Sequence, residues 1–175
     1  EYDSIGDFSA ELLSEIGKVK SSMIDVANYY SASCADDKFK YIYNAYNKAL
    51  AGRRKLDFED MIADTYELLT KRPDILAAWQ KKFTYIEVDE FQDISPLQYR
   101  ILKMLAAPEN NLFIVGDDDQ SIYAFRGASP EMMRLFGKDF PEAEKVTLGT
   151  NYRCSARISR VSAKLISLKL FTSAE

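Results

Sequence analysis

Apolar residues recur at helical spacing through the first third of the chain. Phe8, Leu12, Ile16, Val19, Met23 and Val26 follow one another at intervals of three or four, which predicts one or two helices between residues 7 and 31. Phe39, Ile42, Tyr43 and Tyr46 mark the apolar face of a helix over 36–51, with Asp36 or Asp37 as its N-cap and Gly52 near its end. The basic loop GRRKLD comes next. LDFEDMIADTYELLTKRPD then predicts a helix over 58–71, stopped before Pro73, and ILAAWQKKF a short one.

From residue 83 the pattern changes. FTYIEV and NLFIVG are strand-length runs of β-branched and aromatic residues, and AEKVTLG reads as a third strand. SPLQYRILKMLAA is a helix with Ser95 as N-cap and Pro96 at its first position. SPEMMRLFGKDF repeats the Ser-Pro start, and SARISRVSAKLISLKLF is a final helix. Strands alternating with helices predict a parallel sheet with crossover helices, so the expected fold class is α/β, preceded by an all-α segment. The expected division is a helical subdomain over 1–55, a sheet-bearing core over 56–155 and a terminal helix over 156–175, with the first boundary at the basic loop.

Composition narrows the function classes. A hydrophobic content of 47% and an aromatic content of 13% in 175 residues describe a folded domain, not a disordered one. The net charge of −4 gives no general affinity for nucleic acid or anionic membrane. Basic surface is therefore local: Lys48 with Arg53, Arg54 and Lys55, and six basic residues without an acid from Lys145 to Ala174. Each is either a track for a DNA backbone or a solvated helix face. The absence of histidine removes His-dependent triads, His zinc sites and imidazole proton shuttles. Cys34 and Cys154 have no CxxC spacing and are expected as two buried thiols in a reducing, cytoplasmic compartment. No run approaches the ~18 apolar residues of a membrane span, and no signal peptide opens the chain. The chain opens on Glu1 rather than Met, as a piece of a longer protein would.

The candidate chemistry lies at the strand ends. FTYIEV runs into Asp89-Glu90, with Asp93 beyond, and NLFIVG into Asp117, Asp118, Asp119 and Gln120. Ligands of open parallel sheets bind beyond the carboxyl ends of the strands. Carboxylates converging there repel one another unless a cation joins them. Mg²⁺ suits the position because it takes few protein carboxylates and bridges phosphate oxygens. A strand-terminal Asp on Mg²⁺ is the Walker B arrangement of nucleotide hydrolases, and the adjacent Glu90 could deprotonate the attacking water. Solvated loop acids capping helices are the alternative. In GDDDQSIYAFRGA, Gln120 suits contact with a terminal phosphate. Tyr123, Phe125 and Arg126 suit stacking on unpaired bases, about 1–3 kcal/mol per base, or are ordinary core residues. In TNYRCS, Tyr152 offers a face to a purine and Arg153 a guanidinium to a γ-phosphate; a surface Arg beside a half-buried Tyr is the plainer reading.

Together these stretches resemble the superfamily 1 DNA helicases of the UvrD/Rep/PcrA type. VDEFQD is similar to helicase motif II, VGDDDQSIYAFRGA to motif III and LGTNYRCS to motif IV, in that family's order and spacing. LDFEDMI resembles the segment that follows the family's helical insertion. The resemblance is close over about 56–160 and loose before it. It implies a partial RecA-like sheet of the P-loop NTPase type, preceded by a helical insertion. ATP and Mg²⁺ are the implied cofactors, and single-stranded or partly duplex DNA is the implied partner. Asp89 would hold Mg²⁺ with Asp117 as an outer partner of the ion, and Glu90 would be the catalytic base. Gln120 would sense the γ-phosphate, Tyr152 stack on adenine, and Arg153 touch the γ-phosphate. Tyr123, Phe125 and Arg126 would line the single-strand path. Phe125 stands where the family commonly has Trp, so less ring area is available to stack.

No G-x-x-x-x-G-K-[ST] occurs: the glycines at 6, 17, 52, 116, 127, 137 and 149 include no pair five apart. The family's motifs V and VI are absent too. The expectation is a fragment of an ATP-dependent 3′-to-5′ helicase or translocase that is inactive alone. Its sheet is expected to lack the P-loop strand and so to offer an open edge for self-association. Two other readings stay open: a non-catalytic DNA-binding or scaffold module derived from a helicase, and the motor part of a helicase–nuclease subunit.

Overall fold

The computed structural model describes residues 5–120 and 131–172, with side chains described as far as residue 167. The chain divides into two units, Glu1–Arg134 and Leu135–Glu175. Seven α-helices and two strands are formed among the described residues: α1 (Ile5–Ser21), α2 (Asp36–Gly52), α3 (Phe58–Lys71), α4 (Pro73–Lys82), β1 (Ile86–Val88), α5 (Pro96–Ala106), β2 (Leu112–Ile114), α6 (Glu131–Asp139) and α7 (Ala156–Thr172). The fold is mostly helical, with a small parallel sheet compatible with a partial α/β domain.

The helical start follows from its apolar stripe. Leu12, Ile16 and Val19 of α1 bury against Phe39 of α2, and Phe8, Val26, Ile42 and Tyr43 pack around them. The chain leaves α1 at Ser21, makes a short 3-10 turn at Val26–Asn28 and enters α2. The expected Asp36 or Asp37 cap is not formed. The N-cap is Ala35, without a side-chain bond, and both aspartates lie in the first turn. There they face the positive end of the helix dipole, and Asp36 Oδ1 accepts the Ser31 N–H at 3.1 Å.

α3 packs against α1, α4 and α5 and is the hub of this unit. A capping box starts it. Asp57 Oδ1 accepts the Asp60 N–H at 2.7 Å and Asp60 Oδ2 accepts the Asp57 N–H at 3.2 Å. α5 begins the same way at the expected Ser95, which exchanges bonds with Gln98 at 3.2 and 2.8 Å, and Pro96 sits where its missing N–H costs nothing.

β1 and β2 are parallel neighbours in the register Ile86↔Leu112, Glu87↔Phe113 and Val88↔Ile114, joined through α5. Both are three residues long, shorter than the six-residue runs that predict them. The Phe83 N–H closes the end of α4 on Trp79 O instead, so the ladder starts later. Burial alternates along both strands: Ile86, Val88, Leu112 and Ile114 are half-buried while Glu87 and Phe113 are exposed.

In the second unit, residues 143–149 form no strand among the described residues, contrary to the expectation for AEKVTLG. Val146 and Leu148 alternate correctly but are 74% and 86% exposed. Alternation makes a strand only where a neighbour supplies hydrogen bonds. α7 exposes Arg157, Arg160 and Lys164 together with Ile158, Val161 and Leu165. The thiols also differ from expectation, Cys34 being half-buried and Cys154 exposed. Among the described residues no helix is long and apolar enough to cross a membrane.

Candidate functional site

The parallel register brings the two acidic strand ends together. Beyond Val88↔Ile114 the ladder continues: the Val115 N–H donates to Val88 O at 2.8 Å and the Phe91 N–H to Val115 O at 2.9 Å. Asp89-Glu90 and Gly116-Asp117 are therefore adjacent at one edge. A groove of about 660 Å³ opens beside the first of these ends only, with Asp89, Glu90 and Asp93 at its acidic end and Met61, Ile62 and Thr65 of α3 and Gln98, Ile101 and Leu102 of α5 along it; Gly116, Asp117 and Gln120 do not line it.

The turn after β1 is sharp. Asp89 Oδ1 accepts the Glu90 N–H at 2.9 Å, and Glu90 adopts a left-handed conformation, φ 52° and ψ 42°. A non-glycine residue held there costs about 1–3 kcal/mol, and such strain clusters at functional sites. Phe91, fully buried against Tyr99 with ring centroids 5.8 Å apart, anchors the turn from behind. Asp89 and Glu90 stay exposed. Asp93 keeps Oδ1 buried with no hydrogen-bond partner among the described residues.

The second strand end is organised by Asp117. Its Oδ1 accepts the Asp119 N–H at 3.1 Å and its Oδ2 accepts Gln120 Nε2–H at 2.7 Å. Both oxygens thus serve a 3-10 turn, Asp118–Gln120, that carries the exposed Gln120. Tyr123, Phe125 and Arg126, expected at the DNA path, lie outside the described residues. Tyr152 and Arg153 belong to the second unit. Tyr152 is 92% exposed, and Asn151 Oδ1 shapes their turn by accepting the Arg153 and Cys154 N–H groups, each at 2.9 Å.

Sequence reasoning passes over Gln92. It is 2% exposed, donates through Nε2 to Glu90 Oε2 at 2.7 Å and accepts the Asp117 N–H through Oε1 at 3.0 Å. The signal available in the sequence is an uncharged amide between Phe91 and Asp93 within the acidic run. Gly116 makes room for it: a Cβ there would sit 2.8 Å from Gln92 Oε1, 3.2 Å from Gln92 N and 3.3 Å from Phe91 N. Gly116→Ala is therefore expected to destabilise the chain by about 1–3 kcal/mol through overpacking. Urea unfolding of the variant checks this, and an unchanged midpoint would refute the close approach.

Among the described residues no three acid or thiol side chains form a metal cage. The exposed Asp89 and Glu90 carboxylates are hard oxygen donors of the kind Mg²⁺ takes, few in number and with its other positions filled by water and phosphate oxygens.

The family model for the UvrD/REP helicase N-terminal domain matches residues 5–141. A putative ATP-dependent DNA helicase, YjcD of Bacillus subtilis, is 52% identical over 112 residues, 64% of this chain and 15% of that protein. The ATP-dependent DNA helicase PcrA of Leuconostoc citreum is 40% identical over 151 residues, 84% of the chain and 20% of the relative. The ATP-dependent DNA helicase Rep of Buchnera aphidicola is 42% identical over 135 residues, 77% and 21%. The chain thus spans about a fifth or less of the length of these relatives. With most of its length matched by the family model, the chain belongs to the UvrD/REP helicase N-terminal domain family.

Proposed function

We propose that this chain is part of an ATP-dependent DNA helicase or translocase, coupling ATP hydrolysis to 3′-to-5′ movement on single-stranded DNA. Residues 56–155 carry part of a RecA-like core, 1–55 a helical insertion, and 156–175 a helix leading toward a second domain. The observation that carries this reading is the shared strand edge, where Asp89-Glu90 and Asp117-Gln120 stand side by side on parallel neighbours.

At that edge Asp89 offers carboxylate oxygen to Mg²⁺, with Asp117 as an outer partner. The ion, when bound with nucleotide, supplies charge neutralisation at the phosphates. Glu90 accepts the proton of the attacking water. Gln120 reads the terminal phosphate from a turn already ordered by Asp117. Tyr152 stacks on adenine and Arg153 meets γ-phosphate charge. Tyr123, Phe125 and Arg126 line the track for unpaired bases. The exposed Arg157, Arg160 and Lys164 of α7 suit a phosphate backbone. These 175 residues contain no G-x-x-x-x-G-K-[ST] cradle, so turnover is assigned to the longer protein and not to this stretch alone.

Displacement of streptavidin from end-biotinylated oligonucleotides by the full-length protein tests the reading. ATP-driven displacement from the 5′ end is expected, with no DNA-stimulated phosphate release from the 175-residue chain alone. Displacement confined to the 3′ end would overturn the polarity, and robust turnover by the short chain would overturn the division of labour.

A further inference from the structure

Between the candidate base and the loop that carries the phosphate-reading glutamine lies one buried amide. We propose that Gln92 is a positioning residue: it holds the Glu90 carboxylate and makes that hold depend on the 116–120 loop. This rests on the reading of Glu90 as the base, but adds a residue and a linkage to it.

Four observations support the assignment. First, Gln92 is 2% exposed, and a polar side chain buried to that degree keeps its place only if its groups are paired. Both ends are: Nε2–H meets Glu90 Oε2 at 2.7 Å, and Oε1 meets the Asp117 N–H at 3.0 Å. Second, the partners fix which end is which. The reverse orientation would set a carbonyl against a carboxylate and an NH₂ against an N–H. Third, the contact continues outward, because Asp117 Oδ2 accepts Gln120 Nε2–H at 2.7 Å. Glu90, Gln92, Asp117 and Gln120 are thus linked in series, the last two hydrogen bonds meeting at Asp117 through its backbone N–H and its carboxylate. Fourth, the space is shaped for it, since any side chain at 116 would drive a Cβ to 2.8 Å from Gln92 Oε1.

The chemistry needs such a hold. Glu90 is exposed and on a tight turn, so its carboxylate would otherwise sample several rotamers, only some of them aimed at a water. A neutral amide can donate to a carboxylate and accept from a backbone N–H at once. Glutamate keeps only the acceptor, and methionine, of similar volume, keeps neither. Displacement of Gln120 by a phosphate would reach Glu90 through this single amide.

The test uses the full-length protein carrying Gln92→Met, Gln92→Glu or, in parallel, Glu90→Gln. Two readouts are taken: DNA-stimulated ATP hydrolysis, and hydrogen exchange of the peptide bearing the Asp117 amide. Gln92→Met is expected to lower kcat by about tenfold to a hundredfold, as misplacement of a catalytic group does, and to unprotect the Asp117 amide. KM for ATP should stay within about twofold, because the hold acts on the reacting geometry and not on binding. Gln92→Glu is expected to lower kcat similarly while leaving the Asp117 amide protected, which separates the two ends of the amide. A role in packing alone would predict instead that Gln92→Met, which keeps the volume, is mild. If Gln92→Met does not fold, Gln92→Glu decides: a kcat within about twofold of wild type overturns the proposal. So does an unchanged Asp117 amide in a folded Gln92→Met, or a loss confined to KM. Full activity in Glu90→Gln would sink the reading of Glu90 itself. Its inactivity beside active Gln92 variants would sink the positioning role alone.

Discussion

Glu90→Gln in the full-length protein is expected to lower DNA-stimulated ATP hydrolysis by a factor of about 10²–10⁴, the usual contribution of a positioned general base. The substitution keeps the size of the side chain and an acceptor oxygen for Gln92 Nε2–H, so the 2.7 Å bond that holds it survives. The left-handed turn tolerates Gln as it tolerates Glu, because the strain is in the backbone at φ 52° and both side chains branch only beyond Cγ. What is lost is the capacity to take a proton. Nucleotide affinity should therefore change by no more than about twofold, an interaction removed only from the transition state lowering kcat and leaving KM alone. Single-turnover hydrolysis alongside fluorescent-nucleotide titration separates the two quantities. Retained hydrolysis, or a matching fall in affinity with kcat unchanged, would remove Glu90 from the role of base and with it the strongest chemical assignment at this edge.

The helices were legible because their signals are local. Leu12, Ile16 and Val19 at helical spacing predict the buried face of α1, and Ser-Pro at 95–96 predicts the start of α5. The parallel pairing of β1 and β2 was legible from strand–helix–strand order, and with it the juxtaposition of Asp89 and Asp117. What was not legible depends on neighbours distant in sequence. Val146 and Leu148 alternate like a strand yet lie exposed, since alternation says nothing about whether a partner strand is present. Asp36 looks like a cap, but capping requires an extended backbone at that residue, and the chain turns one position earlier at Ala35. Gln92 reads as a spacer in a run of acids. Its role appears only when the register sets the Asp117 N–H and the Glu90 carboxylate on either side of it.

The same dependence on tertiary placement produces the second large effect, at the start of α3. Lys20 of α1 is 6% exposed and its ammonium lies 2.5 Å from Asp57 Oδ2 and 2.7 Å from Asp60 Oδ1, the two members of the α3 capping box. Tyr46 of α2 adds a hydroxyl bond to Asp57 Oδ2 at 3.2 Å, and its ring centroid is 5.0 Å from the ammonium. One cation thus ties α1 and α2 to the first turn of α3. Lys20→Met keeps most of the buried stem but leaves two acids facing each other without their counter-ion. Removing one partner of a buried pair costs about 3–5 kcal/mol, and that is the expected loss in urea unfolding at neutral pH. Adding Asp57→Asn should recover part of it, because asparagine still caps the helix and one unpaired charge is gone.

The pH dependence has a definite sign. Burial pushes the Asp57 carboxyl up, but the Lys20 ammonium and the Asp60 N–H outweigh it and hold it below its ordinary 3.8. Its contribution is fully present above that value and is lost as pH falls below it. Burial pushes the Lys20 ammonium down, but its bonds to Asp57 and Asp60 outweigh that and hold it above its ordinary 10.5. Its contribution is present below that value and is lost as pH rises beyond it. Tyr46, raised above its ordinary 10.0 by burial and by the Asp57 charge, loses stabilisation in the same alkaline direction. The wild-type chain should therefore be most stable on a plateau between the carboxylate and ammonium ranges. The gap to Lys20→Met should be widest there and should narrow in acid, where protonation relieves the variant's unpaired carboxylates. A gap that stays constant from neutral pH down through 3.8 would show that Lys20 contributes by packing its stem rather than by its charge.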